Sequence, residues 1–477
     1  MSPDEFRRAG HALVEWIARY REQLAAGAFP VQSRAAPGEL IAKLPVRAPE
    51  SGEPVEAILR DLDDLILPAI THWQHPRFFG YFPSGGSLTS VLGDMISTGL
   101  GVIGLNWQAS PALTELEQVT TDWLRDLLGL PRDFSGVITD TASSASFLAL
   151  VCARERASSY GAAREGLQRA DSPLVVYVST QSHSSVEKAA LLAGFGRVHV
   201  RAIEVDEGLR LSVDALRAAL RRDRAAGLTP CAVVATSGTT ATTAFDPIAP
   251  IGELARSEGL WFHVDAAMGG AAMLLPEYRH HWDGIEAADS VIVNPHKWMD
   301  IAFDCSLYFV RDPQHLVRVM STNPSYLQTP VDAQVRTYRD WGIPLGRRFR
   351  ALKIWLALRE QGAEAMRARL RRDLDNARWL EGQIRASRDW RIVAPVTLQT
   401  VCVRHEPPGL AAESLDRHTR RWAQAINDSG SAYLTAACVG ERWLVRVSIG
   451  SAQTERAHVE ALWRTMQDAA GASARLG

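Results

Sequence analysis

A single lysine directly after a short apolar run is the residue of this chain best placed to do covalent chemistry. Ser290 to Asp300 reads S-V-I-V-N-P-H-K-W-M-D. Ser290 to Val293 is a β-branched run of the kind that forms a buried strand, and Pro295 ends it by removing a ladder donor. Lys297 therefore falls just past a strand end. In an α/β sheet, ligands bind in the crevice beyond the carboxyl ends of the strands. An amine held there among apolar neighbours loses hydration, which favours its neutral form and lets it form a Schiff base with an aldehyde. Taken alone, an exposed surface lysine explains the same residues, because lysines are mostly solvated.

The elements around it change that balance. From Gly136 the pattern alternates strands with helices, the mark of a mostly parallel sheet in an α/β protein. Gly136 to Ile138 is a strand, followed by T-D-T-A-S-S-A-S and an apolar helix from Phe147 to about Glu155. Thr141, Ala142 and Ser143 thus sit at a helix N-terminus, where free N–H groups and hydroxyls can hold a phosphate; ordinary N-capping explains any one of them equally well. Further strands are expected at Leu174 to Val178, Ala232 to Ala235 and Trp261 to Val264. They end in polar residues through His183, Thr240 and Asp265. Five strand ends then offer a lysine, a carboxylate, a histidine and hydroxyls beside a phosphate-type helix start. Pyridoxal phosphate uses the whole set: an aldehyde for Lys297, a ring nitrogen whose proton Asp265 can hold, a flat ring for His183, and a phosphate for Thr141 to Ser143. A pyridinium kept protonated accepts the electrons of a bond broken at a substrate α-carbon.

Composition and the remaining segments bound the rest. With 477 residues, 46% hydrophobic and 22% charged, the chain fits a globular protein with a large central domain and smaller attachments. A net charge of -2 leaves no basic field for nucleic acid. Five scattered cysteines without a C-x-x-C pair point to reduced thiols and a cytoplasmic location, and neither a leader nor a membrane span is expected. No metal site is expected: His280 and His281 lack H-E-x-x-H spacing. Gly99, Gly101 and Gly104 spell G-x-G-x-x-G, but Leu92 to Thr98 reads as helix, so the strand that a dinucleotide site requires is missing. Ser2, Pro3 and Glu5 begin a helix whose stripe of Phe6, Leu13, Val14, Ile17 and Tyr20 needs a partner surface. Val55 to Ile70 reads as another helix. The Pro- and Gly-broken stretch Thr71 to Ser84 is a loop carrying Trp73, Tyr81 and Phe82, suited either to core packing or to the wall of an aromatic-accepting pocket. Met320 to Trp341 is a long polar segment of the kind that serves as a lid. Arg367, Arg369, Arg371 and Arg372 read as a solvated helix face. Strands near Arg391 to Ala394, Thr400 to His405, Ala432 to Ala436 and Trp443 to Ile449 suggest a small C-terminal α/β domain.

At T-H-W-Q-H-P, A-S-P-A-L-T-E-L-E, S-H-S-S-V-E-K, H-V-D-A-A, A-D-S-V-I-V-N-P-H-K-W and I-P-L-G-R-R-F-R-A-L-K the chain resembles the group II pyridoxal-phosphate decarboxylases, and within them the aromatic-L-amino-acid decarboxylases, almost end to end. The resemblance implies the aspartate-aminotransferase-like transferase fold, fold type I. It implies an N-terminal dimer-wrapping segment (1-86), a large cofactor-binding domain (87-350), a small C-terminal domain (351-477) and a homodimer acting on a small aromatic amino acid. Lys297 matches the Schiff-base lysine, Asp265 the partner of the pyridine nitrogen and His183 the stacking histidine. Thr141, Ala142, Ser143, Thr240, Ala267, Asn294 and His296 match positions at the cofactor. Trp73, Tyr81, Phe82, Pro83, Ser84, Ile103, Leu105 and Gly346 match the substrate pocket. Tyr326 matches the position whose phenol returns a proton to the α-carbon after carbon dioxide leaves; phenylalanine there accompanies aldehyde synthesis. Asp140, Met268 and Leu105 depart from the animal pattern, and Gly346 accompanies larger substrates, with tryptophan favoured. The expected reaction is decarboxylation of tryptophan, phenylalanine, tyrosine or dihydroxyphenylalanine to the amine, with aldehyde synthesis or decarboxylation of histidine as alternatives.

Overall fold

The computed structural model describes residues 1–167 and 172–475. They fall into two units: residues 84–374 with 394–400, and residues 1–83 with 375–393 and 401–477.

The first unit is built on a seven-stranded sheet of order β1-β7-β6-β5-β4-β2-β3. Its strands are β1 (Ser135–Thr139), β2 (Leu174–Ser179), β3 (Val200–Ile203), β4 (Thr229–Thr236), β5 (Trp261–Asp265), β6 (Ser290–Val293) and β7 (Ser306–Val310). Pairing from β3 through β6 is parallel, whereas β7 runs antiparallel to both β6 and β1. β4, β5 and β6 are almost wholly buried, which is why they read as continuous apolar runs rather than as alternating ones. The expected strands on β1, β2, β4, β5 and β6 are all present. β3 and β7 were not among the expected strands. The Ala142–Ala157 helix starts five residues before the apolar run at Phe147, because its first turn is made of small residues that periodicity does not weigh. Gly101, with φ +63°, closes the Leu88–Leu100 helix as its C-cap. The glycine triplet is therefore a helix end.

Glu117 and Arg347 form a buried bidentate pair at 2.6 and 2.9 Å, and both also bond the backbone of Ile138, at 2.8 and 2.7 Å. Each charge is thus paired and further hydrogen-bonded, as burial requires. Residues 351–374 group with this unit. The arginines expected to be solvated are not a free face: Arg367 and Arg369 donate to the Leu274 and Trp298 carbonyls, at 2.9 and 3.0 Å.

In the second unit, Ser2 and Glu5 cap the Pro3–Ala25 helix in a capping box as expected. Val55–Ile70 is not one helix; an α-turn over Val55–Asp61 passes into a wider turn over Leu62–Ile66 and a tight one over Leu67–Ala69, where Pro68 lacks the donor to continue. β8 (Trp390–Ile392), β9 (Thr400–His405), β10 (Thr435–Val439) and β11 (Arg442–Ser448) form a four-stranded sheet. β10 begins three residues later than expected, since Leu434 is bonded through its N–H to Asn427 rather than in the ladder.

Candidate functional site

Order and register in the sheet set the site. β6, β5, β4 and β2 are consecutive, with Asp265 opposite Thr236 on one side and Ile292 on the other. Their carboxyl ends therefore deliver Asn294 to Lys297, Asp265 to Ala267, Thr236 to Thr240 and Ser179 to His183 side by side.

Lys297 is half-buried in the turn that leaves β6, where its N–H donates to the Asn294 carbonyl at 3.0 Å. Asn294 is buried. Its Oδ1 accepts from the Ser306 hydroxyl at 2.6 Å, which turns the amide NH₂ away as a donor. Ser306 was invisible to sequence reading, because it begins the antiparallel strand that had not been expected. Asp265 is buried at the end of β5 and accepts from the Ala267 N–H at 3.1 Å. Gly269 and Ser237 pack so closely that a Cβ on Gly269 would lie 2.4 Å from the Ser237 carbonyl oxygen. The loops after β4 and β5 are thereby locked together, with Thr240 half-buried in the first.

His183 caps the Ser184–Leu192 helix, accepting the Ser185 N–H on Nδ1 at 3.1 Å. That assigns its proton to Nε2. Desolvation and then the charge of Lys297 hold its pKa below the ordinary value, against the opposing pull of Asp265. The imidazole is neutral at pH 7 and its ring is exposed. His296 is buried, takes the Cys305 N–H on Nδ1 at 3.0 Å and lies tilted against the Phe303 ring, with centroids 4.9 Å apart. Burial, followed by Lys297, pushes its pKa down to about 4.

Thr141 is the N-cap of the Ala142–Ala157 helix but makes no side-chain cap bond, so first-turn donors at Ala142 and Ser143 are left to an incoming anion. Asp140, which departs from the animal pattern, accepts the Thr141 N–H at 2.7 Å. Ser84 leads into a loop seated on the lysine turn: Gly85 donates to the His296 carbonyl at 2.7 Å and Gly86 to Asp300 Oδ1 at 2.9 Å. A Cβ on Gly85 would meet the Ile301 carbonyl oxygen at 2.3 Å.

The expected pocket residues divide. Ile103, Leu105 and Gly346 come together, since Gly104 donates to the Arg347 carbonyl at 2.9 Å and a Cβ on Gly346 would lie 3.2 Å from Ile103 Cγ2. Trp73, Tyr81, Phe82 and Pro83 belong to the other unit. There the Trp73 and Tyr81 rings stack at 5.3 Å and Arg446 lies over the Phe82 ring at 4.9 Å. Tyr326 lies in a short turn, Ser325–Leu327, and is 78% exposed. Among the described residues no cluster of metal-ligating side chains occurs, and no helix is long and apolar enough to cross a membrane.

Residues 37–406 match the family model described as the pyridoxal-dependent decarboxylase conserved domain. The chain is 38% identical to tyrosine decarboxylase of Papaver somniferum, covering 98% of this chain and 95% of that enzyme. It is 40% identical to phenylacetaldehyde synthase of a Rosa hybrid cultivar, covering 99% and 95%. The crystal structure of Oryza sativa TDC with PLP and tryptamine superposes with a TM-score of 0.95 at 33% identity, over 99% of this chain and 98% of that one.

Proposed function

The chain belongs to the pyridoxal-dependent decarboxylase family, and from that premise we propose that it converts an aromatic L-amino acid to the arylalkylamine and carbon dioxide. Pyridoxal phosphate is its cofactor. The observation that carries the reading is the placing of Asp265 at the end of β5 and of Lys297 in the turn after the adjacent parallel strand β6. When bound, the cofactor accepts the electron pair left at the α-carbon as the bond to the carboxylate breaks. Lys297 Nζ is the amine that holds its aldehyde, and Asp265 keeps the ring nitrogen protonated. His183 offers a neutral flat ring for stacking. The first-turn N–H groups of Ala142 and Ser143, with the Asn294 amide, are donors for its phosphate. Thr141, Thr240, Ala267 and His296 complete this cofactor set. Ser84, Ile103, Leu105 and Gly346 are assigned to the substrate. Tyr326 supplies the proton that replaces carbon dioxide on the α-carbon.

Identity alone does not choose between amine and aldehyde, because relatives of both kinds match equally well, at 38% and 40%. The phenol of Tyr326 favours the amine. Aldehyde synthesis would instead consume dioxygen and release ammonia and peroxide. Gly346 leaves room beside Ile103 and supports a large ring such as that of tryptophan. We further propose a cytoplasmic homodimer. The Leu88–Leu100 helix exposes Leu88, Leu92, Met95, Ile96 and Leu100 along one face, and the N-terminal helix exposes Phe6, Leu13 and Val14; apolar stripes of this kind mark protein contacts. The five cysteines are all unbridged. Mass spectrometry of products from the holoenzyme, given L-tryptophan, L-phenylalanine, L-tyrosine, L-dihydroxyphenylalanine and L-histidine together, tests the reaction. Aromatic amines are expected, whereas aldehyde with peroxide, or histamine alone, would overturn the proposal.

A further inference from the structure

The residue after Lys297 is held at two points by a single helix. Trp298 is fully buried. Its indole Nε1–H donates to Asp373 Oδ2 at 2.9 Å, and its carbonyl accepts from Arg369 Nη1 at 3.0 Å. Arg369 and Asp373 stand four residues apart on the Gly362–Ala386 helix, so they share one face. The grip takes side chain and backbone at once. It fixes both the ring and the peptide that continues from Lys297, whose carbonyl in turn accepts the Asp300 N–H at 3.3 Å.

Burying a carboxylate to hold one indole N–H is a costly arrangement. Asp373 is completely buried, and among the described residues its Oδ1 has no hydrogen-bond partner. Arg372 approaches that oxygen only to 3.6 Å. Burial accordingly pushes the carboxyl up to about 7, against the pull of Arg369 and Arg372. A neutral carboxyl has the shape and the acceptor of an asparagine amide. Ordinary packing against Trp298 would be met as well by a leucine.

On these grounds, and resting on the cofactor reading above, we infer that Asp373 is a positioning residue: with Arg369 it anchors Trp298 and thereby holds Lys297 at the strand end where the cofactor aldehyde is bound. The role lies in retention of the cofactor, and Asp373 itself touches no reacting atom.

The test uses full-length holoenzyme reconstituted with pyridoxal phosphate, as wild type, Asp373→Asn, Asp373→Leu, Trp298→Phe and the Asp373→Leu/Trp298→Phe double variant. Three quantities are read: visible absorbance of bound cofactor per chain, the rate of cofactor release into excess scavenger, and the melting temperature. Asp373→Leu and Trp298→Phe are expected to speed release about tenfold. Asp373→Asn should stay within about threefold of wild type, and the double variant should release no faster than the faster single variant. Should Asp373→Leu fail to fold, Trp298→Phe removes the same bond while keeping an aromatic ring. Release at the wild-type rate from Trp298→Phe, or equal release from the Asn and Leu variants, overturns the inference. So does a melting temperature that falls with no change in release. A wild-type protein that binds no visibly absorbing cofactor overturns the cofactor reading as well, so the two failures are told apart.

Discussion

The crevice at the strand ends and the segment 321–334 are held by different kinds of bond. In the crevice, contacts join residues far apart in the chain: Gly85 with His296, Ala267 with Asn294 and Ser237 with Asp265. Each closes a long loop, and opening one requires moving several buried groups together. In the segment the bonds are local. Gln328 donates to the Asn323 carbonyl and Thr329 pairs with Asp332, and Tyr326 stands exposed. The contrast separates a preorganised crevice, where position is the contribution, from a locally bonded segment that carries the exposed Tyr326.

Substitutions in the crevice should therefore be expensive. Lys297→Ala removes the amine in the turn after β6. Turnover should fall by on the order of 10⁴-fold or more, with loss of the visible absorbance of bound cofactor. A variant that kept that absorbance would make another lysine the anchor. Acid should act next. His296 has its pKa lowered to about 4 by burial, so the unfolded chain takes up its proton first, near pH 6.5. The stability that neutral His296 contributes is complete above pH 6.5 and is lost as pH falls from there through about 4. It amounts to about 3 kcal/mol. Denaturant melts across that window should show His296→Gln losing less than wild type, and parallel losses would clear His296 of the effect. Gly85→Ala should cost about 1–3 kcal/mol, because its Cβ must displace the Ile301 backbone. Ser325→Ala in the segment should stay within about 0.5 kcal/mol. Equal changes in melting temperature would erase the distinction between the two regions.

The crevice was largely legible in the sequence for a physical reason. Parallel strands buried on both faces leave continuous apolar runs, and the polar residues that stop them are the ones the sheet collects. Lys297, Asp265 and His183 could be placed together on that logic alone. Ser306 could not, because β7 runs the other way and its role depends on pairing with β6 and β1. The grip of Asp373 on Trp298 was equally hidden. A helix stretch carrying Arg367, Arg369, Arg371 and Arg372 reads as solvated until its partners are known, and nothing in the spacing of Arg369 and Asp373 names the carbonyl or the indole they meet. The helix N-terminus at Thr141 to Ser143 was placed, but its hydrophobic pattern was readable only from Phe147, because alanine and serine carry no hydrophobic period.

Tyr326→Phe carries the comparison to its finest point. Removing one phenolic oxygen from an exposed ring in a locally bonded turn should change stability by less than about 0.5 kcal/mol, the smallest effect of the set. Cofactor binding should be untouched, since the residues proposed to hold the cofactor lie outside this segment. The identity of the product should nonetheless change. With no phenol to return the proton, the α-carbon persists unprotonated long enough to meet dioxygen, and aldehyde, ammonia and peroxide should rise at the expense of amine. Product ratios by mass spectrometry, with peroxide measured alongside, read this directly. A variant that folds, binds cofactor and still makes amine in the wild-type ratio would move the proton donor into the crevice. His183 Nε2–H, beside Lys297, is then the group whose loss would have to produce the aldehyde.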